Sequence, residues 1–380
     1  MTARTPTTSP TGTADPADSI TVVPRESELI SAPDGGPALT VQRHVREADR
    51  AVALARDVLT GLTAPPRSLP PKWFYDARGG ILFEEITRLP EYYPTRRERT
   101  ILELHAADIA AVHPVDTLIE LGSGSSSKTR LLLDALRDTG CLRRFAPFDV
   151  DETSLIQSGQ AILADYPGLA VHAVVGDFER HLSFLPTGGH RMIAFLGGTI
   201  GNMRPESRQK FLTTLRGQAG PGDTLLIGTD LLKDPDRLVA AYDDGAGVTA
   251  AFNRNILTVL NRELGANFDV RGFAHIAQWN AADSWIEMRL RAVRDQQVTI
   301  DALALSLDFV RGEDLLTEIS AKFVPEGIDA ELAQAGWACA ARWTDPDGDF
   351  ALTLAAPTTP PPPSDPASRA GERPDSRGPG

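Results

Sequence analysis

Thr117-Leu-Ile-Glu120-Leu-Gly122-Ser-Gly124-Ser-Ser-Ser-Lys128-Thr129 decides the fold. An apolar run ends in an acid, breaks into a glycine-rich turn, and re-emerges as the amphipathic segment Lys128-Thr-Arg-Leu-Leu-Leu-Asp-Ala-Leu-Arg137. That is a strand, a tight loop and a helix, the opening unit of a doubly wound α/β sheet. Gly122 and Gly124 let the backbone take positive φ and let a ligand approach bare main chain. The helix that follows points its N-terminus at whatever binds there.

Downstream, the same unit repeats. Phe145-Ala-Pro-Phe-Asp149-Val-Asp151 reads as a second strand ending in an acid, followed by a helix over 153–164. Ala170-Val-His-Ala-Val-Val-Gly-Asp177-Phe178 is a third strand with its own terminal acid. Arg191-Met-Ile-Ala-Phe-Leu-Gly197-Gly198-Thr199-Ile-Gly201-Asn202 is a fourth, running into another glycine turn. A helix over 205–218 and a strand from Thr224 to Gly228 complete the alternation. Such a series predicts a largely parallel sheet with helices on both faces.

Upstream, residues 1–43 are rich in Thr, Pro, Ser, Asp and Gly and read as a disordered leader, with Ala38-Leu-Thr-Val-Gln42 a short strand-like piece where order begins. Residues 47–62 carry helical spacing. Two rigid aromatic loops follow, around Ser68-Leu-Pro-Pro-Lys-Trp-Phe-Tyr75 and Leu89-Pro-Glu-Tyr92-Tyr93-Pro94. They hold three of the chain's five tyrosines, so either they pack a lid on the sheet or they touch ligand. A helix over 96–112 leads into the glycine turn. After Asp230 the rhythm changes to helices (Leu238–Tyr242, Val248–Leu264), then hairpin material over 272–310. Strands at Trp337–Thr344 and Phe350–Leu354 return to the sheet as an antiparallel pair, and residues 357–380 read as a disordered tail.

Composition narrows the function. An apolar fraction of 42% with 23% charged residues is that of a globular protein. A net charge of −13 repels phosphate backbones, so no nucleic-acid partner is expected. No apolar run approaches the roughly 20 residues that span a bilayer, so no membrane partner is expected either. Cys141 and Cys339 lie far apart and the seven histidines are scattered. No metal site or disulfide is therefore expected, and a reducing cytoplasm fits best; a monomer with a small-molecule substrate is the expectation.

Three ligands compete for the glycine turn. A nucleoside triphosphate needs glycine where Ser127 stands before Lys128-Thr129, and only Asp230 offers itself as a magnesium acid. A dinucleotide needs a third glycine, again replaced by Ser127. S-adenosylmethionine needs a glycine turn for its methionine part, an acid at the second strand end for the ribose, and an acid–aromatic pair beside the adenine. Glu120-x-Gly-x-Gly, Asp149 and Asp177-Phe178 supply these in order, at strand C-termini where open α/β sheets bind ligands. The bland alternative, an acid that merely caps the next helix, suits Asp151 and does not suit the other acids together.

Longer strings carry a more specific signal: Ser68-Leu-Pro-Pro-Lys-Trp-Phe-Tyr-Asp, Thr87-Arg-Leu-Pro-Glu-Tyr-Tyr-Pro-Thr-Arg, Glu120-Leu-Gly-Ser-Gly, Thr199-Ile-Gly-Asn, Ala241-Tyr-Asp-Asp, Ala251-Phe-Asn-Arg-Asn and Thr317-Glu-Ile-Ser. Through these, residues 48–355 closely resemble the histidine Nα-methyltransferases of ergothioneine biosynthesis (the EgtD family). Gly198 departs from the Ser expected in that turn.

The resemblance implies S-adenosylmethionine-dependent trimethylation of L-histidine to hercynine on a Rossmann-like class I methyltransferase sheet. A second, α+β substrate-binding domain would come from 44–96 plus 232–322, and the methyltransferase domain from 97–231 plus 323–356. It implies that Gly122, Ser123 and Lys128 hold the cofactor, with Asp149 on the ribose and Asp177-Phe178 beside the adenine. Asn202 and Tyr242 match the holders of the histidine carboxylate. Tyr92, Glu318 and Ser320 match the imidazole partners, with Met288 lining the pocket. Tyr75, Gly197 and Thr199 fall near the amine, so Tyr75 and Asn202 are the catalytic candidates. In-line attack by an amine on a sulfonium methyl is mostly positioning, with a tyrosine oxygen or water taking the amine proton. An oxygen-rich, aromatic wall (Tyr75, Phe178, Asn202) suits a product that ends as a quaternary cation. The rival readings are a methyltransferase for another amino acid and a P-loop-like nucleotide hydrolase using Lys128-Thr129.

Overall fold

The computed structural model describes residues 27–30, 39–124, 126 and 128–358. Strands β1 (Ser27–Ile30) and β2 (Leu39–Arg43) precede helices α1 (Glu47–Thr63), α2 (Ala77–Ile86) and α3 (Pro94–Val112). The alternating section runs β3 (Thr117–Leu121), α4 (Thr129–Asp138), β4 (Arg144–Asp149), α5 (Glu152–Asp165), β5 (Ala170–Val175), β6 (Arg191–Phe195), α6 (Pro205–Gln218) and β7 (Thr224–Asp230). Helices α7 (Pro235–Tyr242) and α8 (Val248–Leu264) lead to strands β8 (Phe273–Asn280), β9 (Trp285–Ala292), β10 (Gln296–Ile300), β11 (Leu305–Phe309) and β12 (Asp314–Ala321). Helix α9 (Pro325–Gln334) and strands β13 (Trp337–Thr344) and β14 (Phe350–Pro357) close the described chain.

One nine-stranded sheet has the order β1-β2-β5-β4-β3-β6-β7-β14-β13. Its middle, β2 through β7, is parallel, and β1, β13 and β14 pair antiparallel at the edges. Every residue of β3 and of β7 is buried, as a parallel strand covered on both faces requires. Neighbours therefore serve opposite cores: Leu118 packs with Ile101, Leu133 and Phe145, whereas Ile119 packs with Phe148, Phe195 and Leu212.

The leader reading needs correction. Residues 39–43 lie inside the sheet, with Leu39 and Val41 buried against β5, and residues 27–30 pair with them. The alternation Leu39-x-Val41 was long enough to fill one face of a strand, although its polar surroundings looked like linker. Residues 1–26, 31–38 and 359–380, where the rest of the leader and most of the tail fall, lie outside the described residues.

A third core is separate from both faces of the sheet. It joins Leu62, Phe74, Phe252 and Leu257 of the helical segments to Phe273, Ile286 and Phe309. Here β12, β9 and β8 form a three-stranded antiparallel sheet, beside the β10–β11 hairpin. Strand β12 then runs directly onto the end of β7: the Phe323 amide donates to the Asp230 carbonyl at 2.9 Å. That crossing brings the two sheets together at the C-terminal edge of the parallel strands.

Candidate active site

The cofactor half of the site is built at the ends of β3, β4 and β5. Gly122 and Gly124 take φ of 69° and 47°, and a side chain is sterically strained at such angles. The Gly122 amide donates to the Phe148 carbonyl at 2.8 Å, and the Gly124 amide to the Asp149 carboxylate at 3.1 Å. Burial raises the Asp149 pKa, and backbone N–H groups oppose the shift. Asp151, by contrast, caps α5, accepting from the Thr153 and Ser154 amides at 3.0 and 3.3 Å. Asp177 and Phe178 follow β5; the Lys72 ammonium lies 3.8 Å from Asp177, and the Phe178 ring meets Phe195 edge-on at 5.4 Å.

Glu120 explains how the turn is held. Its buried carboxylate accepts from the Ser126 hydroxyl at 3.2 Å and from the Thr129 hydroxyl, tying the loop back to α4. Burial pushes its pKa up to about 7, against the pull of Thr129 and Lys128. Lys128 pairs with Glu98 of α3, and Glu98 also accepts the Gly197 amide at 2.7 Å. A phosphate cradle would present Lys128 and Thr129 free; here both are engaged with carboxylates that would repel a polyphosphate. Ser127, on which that reading turned, lies outside the described residues.

The second half is a cleft of about 620 Å³ of empty space, open mouth included, between the end of β6 and the face of β12. Tyr75, Tyr92, Gly197, Thr199, Asn202, Tyr242, Met288, Glu318 and Ser320, named from the sequence, all line it. Gly197 and Gly198 both take the left-handed conformation, φ 80° and 68°, which turns the chain from β6 into the short helix Thr199–Asn202. Glycine at 198 suits that φ; serine there would carry strain.

Strand register puts three of these residues on one face. Glu318 stands opposite Met288, and Ser320 lies two residues on. A β-bulge between Leu316 and Glu318, filled by buried Thr317 donating to Asn253 at 2.7 Å, sets that register. Burial pushes the Glu318 pKa up to about 8, with Lys322 opposing. Burial also holds the Tyr75, Tyr92 and Tyr242 phenols well above their ordinary value, with Glu318 contributing to each. These phenols keep their protons and act as hydrogen-bond donors.

Sequence reasoning missed part of the machinery. Glu98, fully buried, shares the inner stripe of α3 with Ile101 and Leu102, a spacing that could have flagged it. Lys322 continues the polar alternation Glu318-x-Ser320-x-Lys322 between apolar Ile319, Ala321 and Phe323. Phe83 and Phe252 complete the aromatic wall around Tyr75, with ring centroids 5.6 and 5.5 Å away.

The cofactor turn also has an orphan: the Ser123 hydroxyl is buried and has no hydrogen-bond partner. Added Cβ atoms at Gly122 and Gly124 would meet nothing within 4 Å among the described residues, so the backbone on either side of Ser123 is open to a ligand. Together with the acid Asp149 at the next strand end, this fits a polar ligand of the S-adenosylmethionine type and needs no metal. Elsewhere Asp345, Asp347 and Asp349 come together, a cluster that spacing rules for His and Cys did not anticipate; Arg97 contacts all three and Arg237 pairs with Asp349.

Among the described residues no helix is long and apolar enough to cross a membrane. Residues 54–357 match the family described as histidine-specific methyltransferase, SAM-dependent. Histidine N-alpha-methyltransferase from Mycolicibacterium smegmatis is 57% identical over 317 residues, covering 83% of this chain and 99% of that protein. The protein of the same name from Mycobacterium tuberculosis is 56% identical, covering 84% and 99%. Ergothioneine biosynthesis protein 1 from Neurospora crassa is 31% identical over 73% of this chain and 32% of its own length.

Proposed function

The chain belongs to the histidine-specific, S-adenosylmethionine-dependent methyltransferases, and on that premise we propose how its cleft works. It transfers methyl groups to the α-amine of L-histidine, giving hercynine, the first step of ergothioneine biosynthesis. The observation that carries the reading is the pairing of a cleft, acidic at Glu318 and hydroxyl-lined at Tyr242 and Ser320, with a glycine turn joined to it through Glu98.

S-adenosylmethionine supplies an electrophilic sulfonium methyl when bound. Gly122, Ser123 and Lys128 take its methionine part, Asp149 its ribose hydroxyls, and Asp177 and Phe178 its adenine. Asn202 and Tyr242 hold the histidine carboxylate. Glu318, Ser320 and Tyr92 hold the imidazole, with Met288 closing the wall. A site built to hydrogen-bond an imidazole rejects apolar amino acids, because its buried polar groups would be left unpaired. Tyr75, Gly197 and Thr199 line the space around the amine, which Tyr75 directs toward the cofactor turn by hydrogen bonding. The aromatic face of Tyr75 with Phe83 and Phe252 suits the growing cation.

In this reading residues 44–96 and 232–322 form the substrate-binding domain, and the enzyme works as a cytoplasmic monomer with neither nucleic acid nor membrane as a partner. Mass spectrometry of the purified protein with S-adenosylmethionine and a panel of amino acids is the test. Histidine should gain one, two and three methyl groups. Methylation of a different amino acid, with histidine untouched, would transfer the reading to the rival substrate.

A further inference from the structure

Beneath the cleft, Asp230 at the end of β7 is shared by two lysines. The Lys322 ammonium, with no side-chain exposure, donates to Asp230 at 2.8 Å, and the Lys233 ammonium donates at 2.5 Å. The Tyr93 phenol also donates to Asp230, at 3.0 and 2.9 Å. Two ammonium groups face one carboxylate here. Asp349, beside Lys233, is shared by Arg97 and Arg237. The two lysines thus meet on Asp230 in a region shielded from water, where a charge needs close partners.

The hydroxyls above it complete the argument. Lys322 uses its three N–H groups on Asp230, on the Tyr242 oxygen at 3.0 Å and on the Ser320 oxygen at 2.9 Å. Tyr242 and Ser320 also bond each other at 2.7 Å, which consumes one of their two protons. Both oxygens accept from Lys322, so the second proton is free to donate, and both residues line the cleft. The site therefore presents a hydroxyl donor backed by the Lys322 ammonium.

We propose that Lys322 is a positioning residue for the substrate's α-carboxylate: it fixes the Tyr242–Ser320 pair so that Tyr242, accepting from Ser320, turns its own proton toward the carboxylate. This rests on the amino-acid reading of the cleft given above. It adds a selectivity for the carboxylate that is separate from the selectivity for imidazole at Glu318.

The test compares L-histidine with L-histidinamide, which keeps the amine and imidazole and lacks the negative charge. Titration calorimetry in the presence of S-adenosylhomocysteine gives both affinities. The wild type should prefer histidine by about tenfold or more, the scale of a charge-assisted hydrogen bond. Lys322→Met should erase most of that preference by weakening histidine far more than histidinamide, with S-adenosylhomocysteine affinity within about twofold of wild type, a pattern that general loosening does not produce. Equal weakening of both ligands, or an intact preference, overturns the proposal. If Lys322→Met does not fold, Lys322→Gln keeps a polar side chain there without the ammonium, and an unreduced preference in that variant overturns it too. A wild type that binds no histidine sinks the substrate reading instead; the same acid-versus-amide comparison on the amino acid it does bind then decides the role of Lys322.

Discussion

The Glu98 carboxylate accepts the Gly197 amide at 2.7 Å while pairing with Lys128, so one buried acid joins the glycine turn after β3 to the glycine turn after β6. In the proposed mechanism the first turn serves the cofactor and the second the substrate, so their separation sets the distance over which a methyl group must travel. Gly228 of β7 makes the room: a Cβ there would sit 2.3 Å from the same carboxylate.

Glu98→Gln should therefore weaken S-adenosylhomocysteine binding by about tenfold, because Lys128 loses the partner that holds its ammonium beside the turn. Gly228→Ala should do likewise from a distance, by driving Glu98 off the Gly197 amide. Calorimetric affinities within twofold of wild type for both variants would remove Glu98 from this role.

Glu318→Gln should cost L-histidine about tenfold or more in affinity and leave the cofactor almost untouched, since Glu318 lies in the cleft and away from the turn after β3. The pH profile gives a second readout. With its pKa pushed up to about 8, Glu318 is mostly protonated at neutral pH, and its carboxylate form is the one that accepts an imidazole N–H. kcat/KM for histidine should rise with pH through about 8, more steeply in the wild type than in Glu318→Gln. Parallel profiles would count against it.

The same shift predicts a stability trend. A folded-state pKa of about 8 against an ordinary 4.5 means that the protonated carboxyl is favoured in the native fold. That contribution is fully present below 4.5 and is lost as pH rises through 8. Melting temperatures of the ligand-free protein should fall less over this range in Glu318→Gln than in the wild type; an identical slope would refute the coupling.

Gly198→Ser should destabilise the protein by about 1 kcal/mol, the cost of a side chain at left-handed φ. Packing adds little, because a Cβ there would meet the Phe350 ring at an ordinary 3.5 Å. Urea denaturation measures it, and a more stable variant would contradict the backbone argument.

Much of the fold was legible because each parallel strand announces itself twice, as an apolar run and as the acid or glycine turn at its end. Glu120, Asp149, Asp177 and Gly197 were visible in this way. Glu318, Ser320 and Met288 carry no such local mark; their strings pointed to them by resemblance, and only strand register and the bulge at Thr317 put them on one face. Leu39–Arg43 was strand-like in sequence yet counted with the leader, because a five-residue strand is too short to outweigh its polar flanks.

What the sequence determined by itself was the order of elements, the glycine turns and the chemical types available to the cleft, all of which follow from periodicity and backbone freedom over a few neighbouring residues. The tertiary structure alone decided which distant groups share a charge environment. Glu98 meets Gly197, and Lys322 meets Asp230, across long stretches of chain. Burial pushes the Glu318 pKa up to about 8 and holds the three cleft phenols in their protonated form. Desolvation and pairing depend on what surrounds a group in space, and neighbours in sequence do not specify that.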